Sequence, residues 1–124
     1  MPLQVGDVIR VMAHFVRPPK PKWMICICPL RFKYMVINTE PYQLALMAQL
    51  RITRTQVPFL ETDSYVDTSK LVTLSAMETQ YVVDADPRCF KGALPVQIRQ
   101  AIKAAIPQHG IMPKDQMQII ATNL

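Results

Sequence analysis

The sequence predicts an α+β domain built on a small antiparallel sheet or barrel, and three observations carry that prediction. Before Pro95 the chain is a succession of short apolar runs bounded by prolines and polar turns, the pattern of short strands. From Pro95 onward apolar residues return at helical spacing instead. Strand and helix patterns never alternate, which disfavours a parallel α/β fold.

Val8 to Phe15 reads as the first strand, with Ile9, Val11, Ala13 and Phe15 on one strongly apolar face and Val8, Arg10, Met12 and His14 on the other. The segment from Arg17 through Pro18, Pro19, Lys20 and Pro21 to Lys22 follows. Its prolines exclude a helix or a central strand, so a stiff, basic, extended connection is expected. Trp23 to Cys28 and Phe32 to Asn38 are β-rich apolar runs and read as buried strands. Thr39-Glu40-Pro41 ends the second of these.

Leu44 to Leu50 is rich in helix formers and reads as two helical turns or as a loop packed on the barrel. Val57 to Leu60 reads as a short strand entered through Pro58, and Glu61 to Ser64 as a polar turn. A strand is expected at Lys70 to Leu74, a turn at Asp84 to Pro87, and a last short strand at Arg88 to Gly92. Pro95 suits the first position of a helix whose apolar side is Val96, Ile98, Ile102, Ala105 and Ile106, stopped by Pro107 and Gly110. Arg99 and Lys103 stand four apart on its exposed side. A second helix is expected from Lys114 to about Thr122, with Met117, Ile120 and Ala121 inward.

The 124 residues favour one domain, 1–124, with one modest core. Half the residues are hydrophobic and 19% are charged, which is a globular rather than a disordered composition. The charge-free stretch Pro41 to Leu50 is about half the ~20 apolar residues a membrane span needs. The amino terminus lacks the basic-then-apolar layout of a secretory signal, so no membrane partner and a cytoplasmic setting are expected. The three cysteines agree with that setting. Cys26 and Cys28 sit one residue apart in an apolar run, where they would point the same way from a strand as small core hydrophobes. Cys89, His14 and His109 are too scattered to complete a metal site with them.

Charge is uneven along the chain. Met1 to Arg54 carries a net +6, Thr55 to Lys91 a net −3 and the remainder +2. A basic amino-terminal half suits a phosphate backbone, because Lys and Arg attract polyanions and release their counterions. It equally suits a solvated face that keeps the protein soluble. With glycine only at positions 6, 92 and 110, no phosphate-cradling loop or dinucleotide fingerprint can be written. The acids Glu61, Asp63, Asp67, Asp84 and Asp86 lie in turn-like surroundings, where Asp commonly satisfies its own backbone, rather than as a two-metal centre.

The order of these pieces resembles the MazF/PemK toxin family, small ribonucleases with a CcdB/PemK-type SH3-like barrel and a terminal helix. Gly6-Asp7-Val8-Ile9 is similar to the opening of the family's first strand. Lys22 to Ile27 is similar in position to its Arg-Pro and aliphatic strand, and Leu71 to Glu78 to a later strand and turn. Cys89 to Pro95, running into the helix, resembles the closing strand and helix, so the likeness covers most of residues 6 to 106.

The resemblance implies an SH3-like antiparallel barrel with a C-terminal helix and a second short terminal helix, cleaving single-stranded RNA with no metal or other cofactor. The RNA 2′-hydroxyl would attack the adjacent phosphate, assisted by a fixed cation and a hydroxyl. The family's Arg at the start of its second strand and Thr or Ser at the end of its third match Lys22 and Thr39 here. Lys22 offers a point charge where the family has a planar fork, and Pro18, Pro19 and Pro21 stand where the family has a glycine-rich stretch. Read without the resemblance, Lys22 is a solvated strand flank and Thr39 a turn residue.

Arg17, Lys20, Arg31, Lys33, Arg51 and Arg54 are the cations available to track RNA, and Trp23 is an aromatic that either stacks on a base or anchors the core. A homodimer and an acidic antitoxin segment or other protein partner are further implications of the resemblance. The competing class is a non-catalytic module of the same fold that binds nucleic acid or protein, from a phage or mobile element. A purely structural protein, with no RNA affinity, is the third.

Overall fold

The structure, a computed structural model, describes residues 3–13, 15–41, 48–75 and 87–124. Its strands in chain order are β1 (Asp7–Ala13), β2 (Lys20–Cys28), β3 (Lys33–Asn38), β4 (Gln49–Ile52), β5 (Ser64–Asp67), β6 (Val72–Thr73) and β7 (Phe90–Ala93). Two helices follow, α1 (Val96–His109) and α2 (Lys114–Asn123). The strands form one antiparallel sheet in the order β4-β5-β3-β2-β1-β7, with β6 also on β3. The fold is thus α+β, a strongly curled half-barrel sheet carrying two helices.

Alternation along the strands gives the sheet two buried faces. Val8, Ile25, Ile27, Met35 and Ile37 join Ile98, Ile102, Ile106, Ile119 and Ile120 of the helices in the larger apolar cluster. Ile9, Val11, Ala13, Met24 and Tyr34, from the alternate positions, join Leu3 and Cys89 in a smaller one. Each fully buried isoleucine contributes ~1.5–3 kcal/mol, so α1 is held mainly by the row Ile98, Ile102 and Ile106 and α2 by Ile119 and Ile120. The free edge of β3 is shared, with Ile37 and Asn38 paired to β5 and Lys33 and Tyr34 to β6.

Several expectations are corrected. The first strand ends at Ala13; Phe15 is a half-exposed turn residue rather than part of the apolar face, and His14 lies outside the described residues. The proline connection yields earlier than expected, since β2 begins at Lys20 and Pro21 pairs with Met12. Pro21 is tolerated because the β3 ladder starts only at Trp23, so no second partner there needs its missing N–H. Cys26 and Cys28 do not share surroundings. The β2–β3 register shifts between them, which sends Cys26 into the smaller cluster and Cys28 into the larger.

Gln49 and Leu50 belong to β4 rather than to a helix, and residues 44–47 lie outside the described residues. Val57 to Leu60 is a turn, not a strand, although Val57 and Leu60 are buried. The strand of that region is β5, beginning at Ser64, the end of the expected turn. The strand at Lys70 to Leu74 shrinks to Val72–Thr73. A 3-10 turn at Pro87–Cys89 replaces the first half of the last expected strand; the turn expected at residues 84–86 falls outside the described residues.

Helix α1 runs through Pro107 to His109 and is capped by Gly110, whose left-handed backbone (φ 63°) lets its N–H reach the Ile106 carbonyl. A proline in the last turn removes only one intrahelical bond, so glycine rather than proline ends the helix. Val96 is 61% exposed, Ala121 is exposed and Ile119 is inward, each against expectation. Arg99 is not solvated: its guanidinium lies against Gly6 and donates to the Leu124 carbonyl oxygen at 3.3 Å.

Candidate nucleic-acid cleft

The β2–β3 register pairs Trp23 with Ile37, which sets Lys22 beside Asn38 and leaves Thr39 just past the end of β3. The Lys22 ammonium donates to Asn38 Oδ1 at 2.6 Å. On the far side, Asn38 pairs with Tyr65 of β5 in antiparallel sense. The chain entering β5, Leu60 to Ser64, is therefore brought to the same end of the sheet. A cleft of about 250 Å³ opens there, between Arg10, Lys20, Lys22 and Trp23 on one wall and Asn38, Thr39, Glu61 and Thr62 on the other.

Burial holds the Lys22 ammonium below the ordinary lysine range, the nearby Lys20 charge adds to that depression, and Asp67 opposes it. Nζ has three donors and Asn38 takes one, leaving two for the oxygens of an anion. The exposed Thr39 hydroxyl is a further donor at the cleft wall. Glu61 is exposed and supplies a carboxylate on the same wall as Thr39.

Trp23 lines the cleft, and its ring also stacks on Phe59 at 6.3 Å between centroids with 23° between planes. The Lys91 ammonium lies 5.7 Å from the Trp23 ring centroid, within cation–π range. Trp23 is thus an anchor packed on the larger cluster as well as part of the cleft lining.

The remaining sequence-derived cations divide into two groups. Arg17 and Lys20 line a neighbouring cleft that shares Lys22. Arg31, Lys33, Arg51 and Arg54 are not in the cleft. Lys33 sits at the opposite end of β3 from Asn38, roughly 17 Å away at ~3.4 Å per residue. Its ammonium donates to Thr73 Oγ1 at 2.6 Å. Arg31 is exposed in the β2–β3 turn. Arg51 pairs with Asp63 at 3.0 Å, and the Arg54 amide N–H donates to the same carboxylate at 2.9 Å.

Arg10, Asn38 and Glu61 are cleft residues that sequence reasoning did not single out. Arg10 carried a usable signal as the exposed charge in an alternating strand. Asn38 and Glu61 carried none, because only the cross-strand register brings them to Lys22.

Asp67 and His109 are engaged within the fold. Asp67 Oδ1 accepts from the Ser69 N–H and hydroxyl, a turn rather than a metal ligand. His109 Nδ1 accepts the Ile111 N–H at 3.0 Å, which leaves Nε2 as the protonated nitrogen that donates to Thr68 Oγ1 at 3.0 Å. Among the described residues no three His, Cys, Asp or Glu side chains gather as metal ligands, and no helix is long and apolar enough to cross a membrane. Comparison of the chain with protein-family models, with curated proteins and with solved structures returns no match.

Proposed function

We propose that this chain is a metal-independent endoribonuclease for single-stranded RNA, built on an SH3-like barrel of the MazF/PemK kind. One observation carries the reading: Lys22 and Thr39, matched to the family's functional positions by sequence resemblance alone, line the same cleft, among Arg10, Lys20 and Trp23.

In this scheme the scissile phosphate lies against Lys22. Its ammonium and the Thr39 hydroxyl stabilise the charge that builds on the non-bridging oxygens. The 2′-oxygen bonds to phosphorus as the P–O5′ bond breaks, giving a 2′,3′-cyclic phosphate and a 5′-hydroxyl. Glu61 takes the 2′-hydroxyl proton. Lys22, more acidic than an ordinary lysine, returns a proton to the departing 5′-oxygen. The dimer and acidic protein partner implied by the resemblance belong to the same reading. A non-catalytic binding module is the second reading, favoured by one feature: position 22 holds Lys, which lacks the fork that grips phosphate through two bonds.

The test is incubation of a long single-stranded RNA with purified protein in EDTA, with Lys22→Ala and Thr39→Ala in parallel. Cuts ending in a 2′,3′-cyclic phosphate, slowed ~100-fold or more in each variant, are expected. A folded wild-type protein that binds RNA without cutting it selects the binding module. A protein without RNA affinity sinks the ribonuclease and the nucleic-acid-binding module, and leaves only a module that binds protein.

A further inference from the structure

Lys22 borders two clefts, and the second one has no part in the scheme above. It measures about 360 Å³ and shares Lys20 and Lys22 with the first, while its own walls bring in Phe15, Arg17, Asp67 and Lys70. Four cations thus face one carboxylate, and that carboxylate is already accepting two hydrogen bonds from Ser69. The lining comes from four separate parts of the fold: the β1–β2 connection, the start of β2, Val36 and Asn38 of β3, and the segment at the end of β5.

Phe15 gives the cleft its second character. It is 48% exposed, so a substantial apolar ring face is left in water beside the cations. An exposed aromatic next to a run of Lys and Arg is the pairing that single-stranded nucleic acids use, with the base on the ring and the phosphate on the charge. The volume is of the size that holds one small ligand. A strand lying with one phosphate at Lys22 would carry its adjoining nucleotide into this cleft.

We infer that the cleft of Phe15, Arg17 and Lys70 is a second nucleotide subsite, which takes the residue next to the scissile phosphate by stacking its base on Phe15 and holding its phosphate between Arg17 and Lys70. The assignment rests on the RNA reading of the first cleft. It adds to that reading a role for Phe15 and Lys70, which sequence reasoning did not select.

The experiment measures binding of a short 2′-O-methyl oligonucleotide, which cannot be cleaved because its 2′-oxygen is blocked, by fluorescence anisotropy across a salt series. Wild type is compared with Phe15→Ala, Phe15→Trp, Lys70→Ala and Lys103→Ala, the last an exposed charge on α1 that lines neither cleft; circular dichroism checks that each is folded. Phe15→Ala is expected to weaken binding about tenfold, with Phe15→Trp restoring it. Lys70→Ala is expected to lower the salt slope by about 0.7, the value for one phosphate contact on a single strand. Lys103→Ala should leave both unchanged.

Losses in Phe15→Ala and Lys70→Ala no larger than in Lys103→Ala overturn the subsite, as does a wild-type protein that does not bind the oligonucleotide. A free nucleoside monophosphate competing as well as the oligonucleotide also overturns it, since the pocket would then serve a small nucleotide. The two proposals fail separately. Cleavage that depends on Lys22 but not on Phe15 or Lys70 removes the subsite and keeps the ribonuclease, whereas subsite-dependent binding without cleavage keeps the subsite in a binding module.

Discussion

At the residue scale, the same burial acts on two groups in ways that suit opposite roles. Cys26 is fully buried, and loss of water pushes its thiol up to about 12, with the Asp7 charge and Cys28 adding to the shift. The thiolate is the reactive form, and at neutral pH almost none is present. Cys26 is therefore a packing residue of the smaller cluster and not a nucleophile. In the native protein Cys26 should resist alkylation at pH 8 and react readily once guanidinium unfolds the chain. Peptide mapping by mass spectrometry reads this directly, and labelling of native Cys26 at the unfolded rate would show the assignment to be wrong. Lys22 is only partly buried and has Asn38 as a hydrogen-bond partner, and its pKa is lowered by burial without the ammonium being sealed from solvent. One group is silenced and the other is tuned.

At the element scale, β7 is the strand through which the cleft wall is braced. Gly92 has φ +138° and pairs with Val8, and a Cβ placed there would lie 3.0 Å from the Phe59 ring that supports Trp23. Gly92→Ala combines backbone strain with a clash against an aromatic ring, and is expected to cost ~1–3 kcal/mol. A lowered denaturation midpoint with a weakened Trp23 band in near-UV circular dichroism checks it; an unchanged midpoint would mean that the ring and the strand relax freely.

The elements also differ in how legible they were. Ile9, Val11 and Ala13 and the Ile98-Ile102-Ile106 row disclosed their strand and helix because each buries a face that repeats at the period of its own structure, and the Trp23 to Cys28 run did so as a continuous apolar stretch buried on both faces. Ser64-Tyr65-Val66-Asp67 did not. Only Val66 of β5 is a buried apolar side chain, and the polar ends of so short a strand imitate a turn. Val57 and Leu60 misled in the opposite sense, being apolar residues that a turn buries without joining a ladder. In the site, Lys22 and Thr39 were accessible through family resemblance. Asn38 and Glu61 depend on the Trp23↔Ile37 and Asn38↔Tyr65 registers, which no local pattern fixes.

At the scale of the whole molecule, the question is where the positive charge of the first half of the chain comes to rest. The strand order puts Arg10, Arg17, Lys20 and Lys22 around two clefts at one end of β2, whereas Lys33 and Arg51 are spent on Thr73 and Asp63 elsewhere. Crowding like charges has a cost, and it appears as the Lys20 contribution to the Lys22 depression. The sign of the pH dependence follows. Phosphate binding needs the Lys22 ammonium, so affinity should fall as pH rises, and the fall should begin below the ordinary lysine value of 10.5 because the native group releases its proton earlier. Lys20→Gln removes a neighbouring positive charge and should move that fall to higher pH; Asp67→Asn removes the opposing negative charge and should move it lower. The midpoints are read from oligonucleotide affinity against pH at fixed salt, alongside titration of the Lys22 Nζ resonance. Opposite displacements in the two variants locate the charge balance of the clefts at Lys22, while midpoints that coincide with wild type in both would show that Lys20 and Asp67 do not act on it.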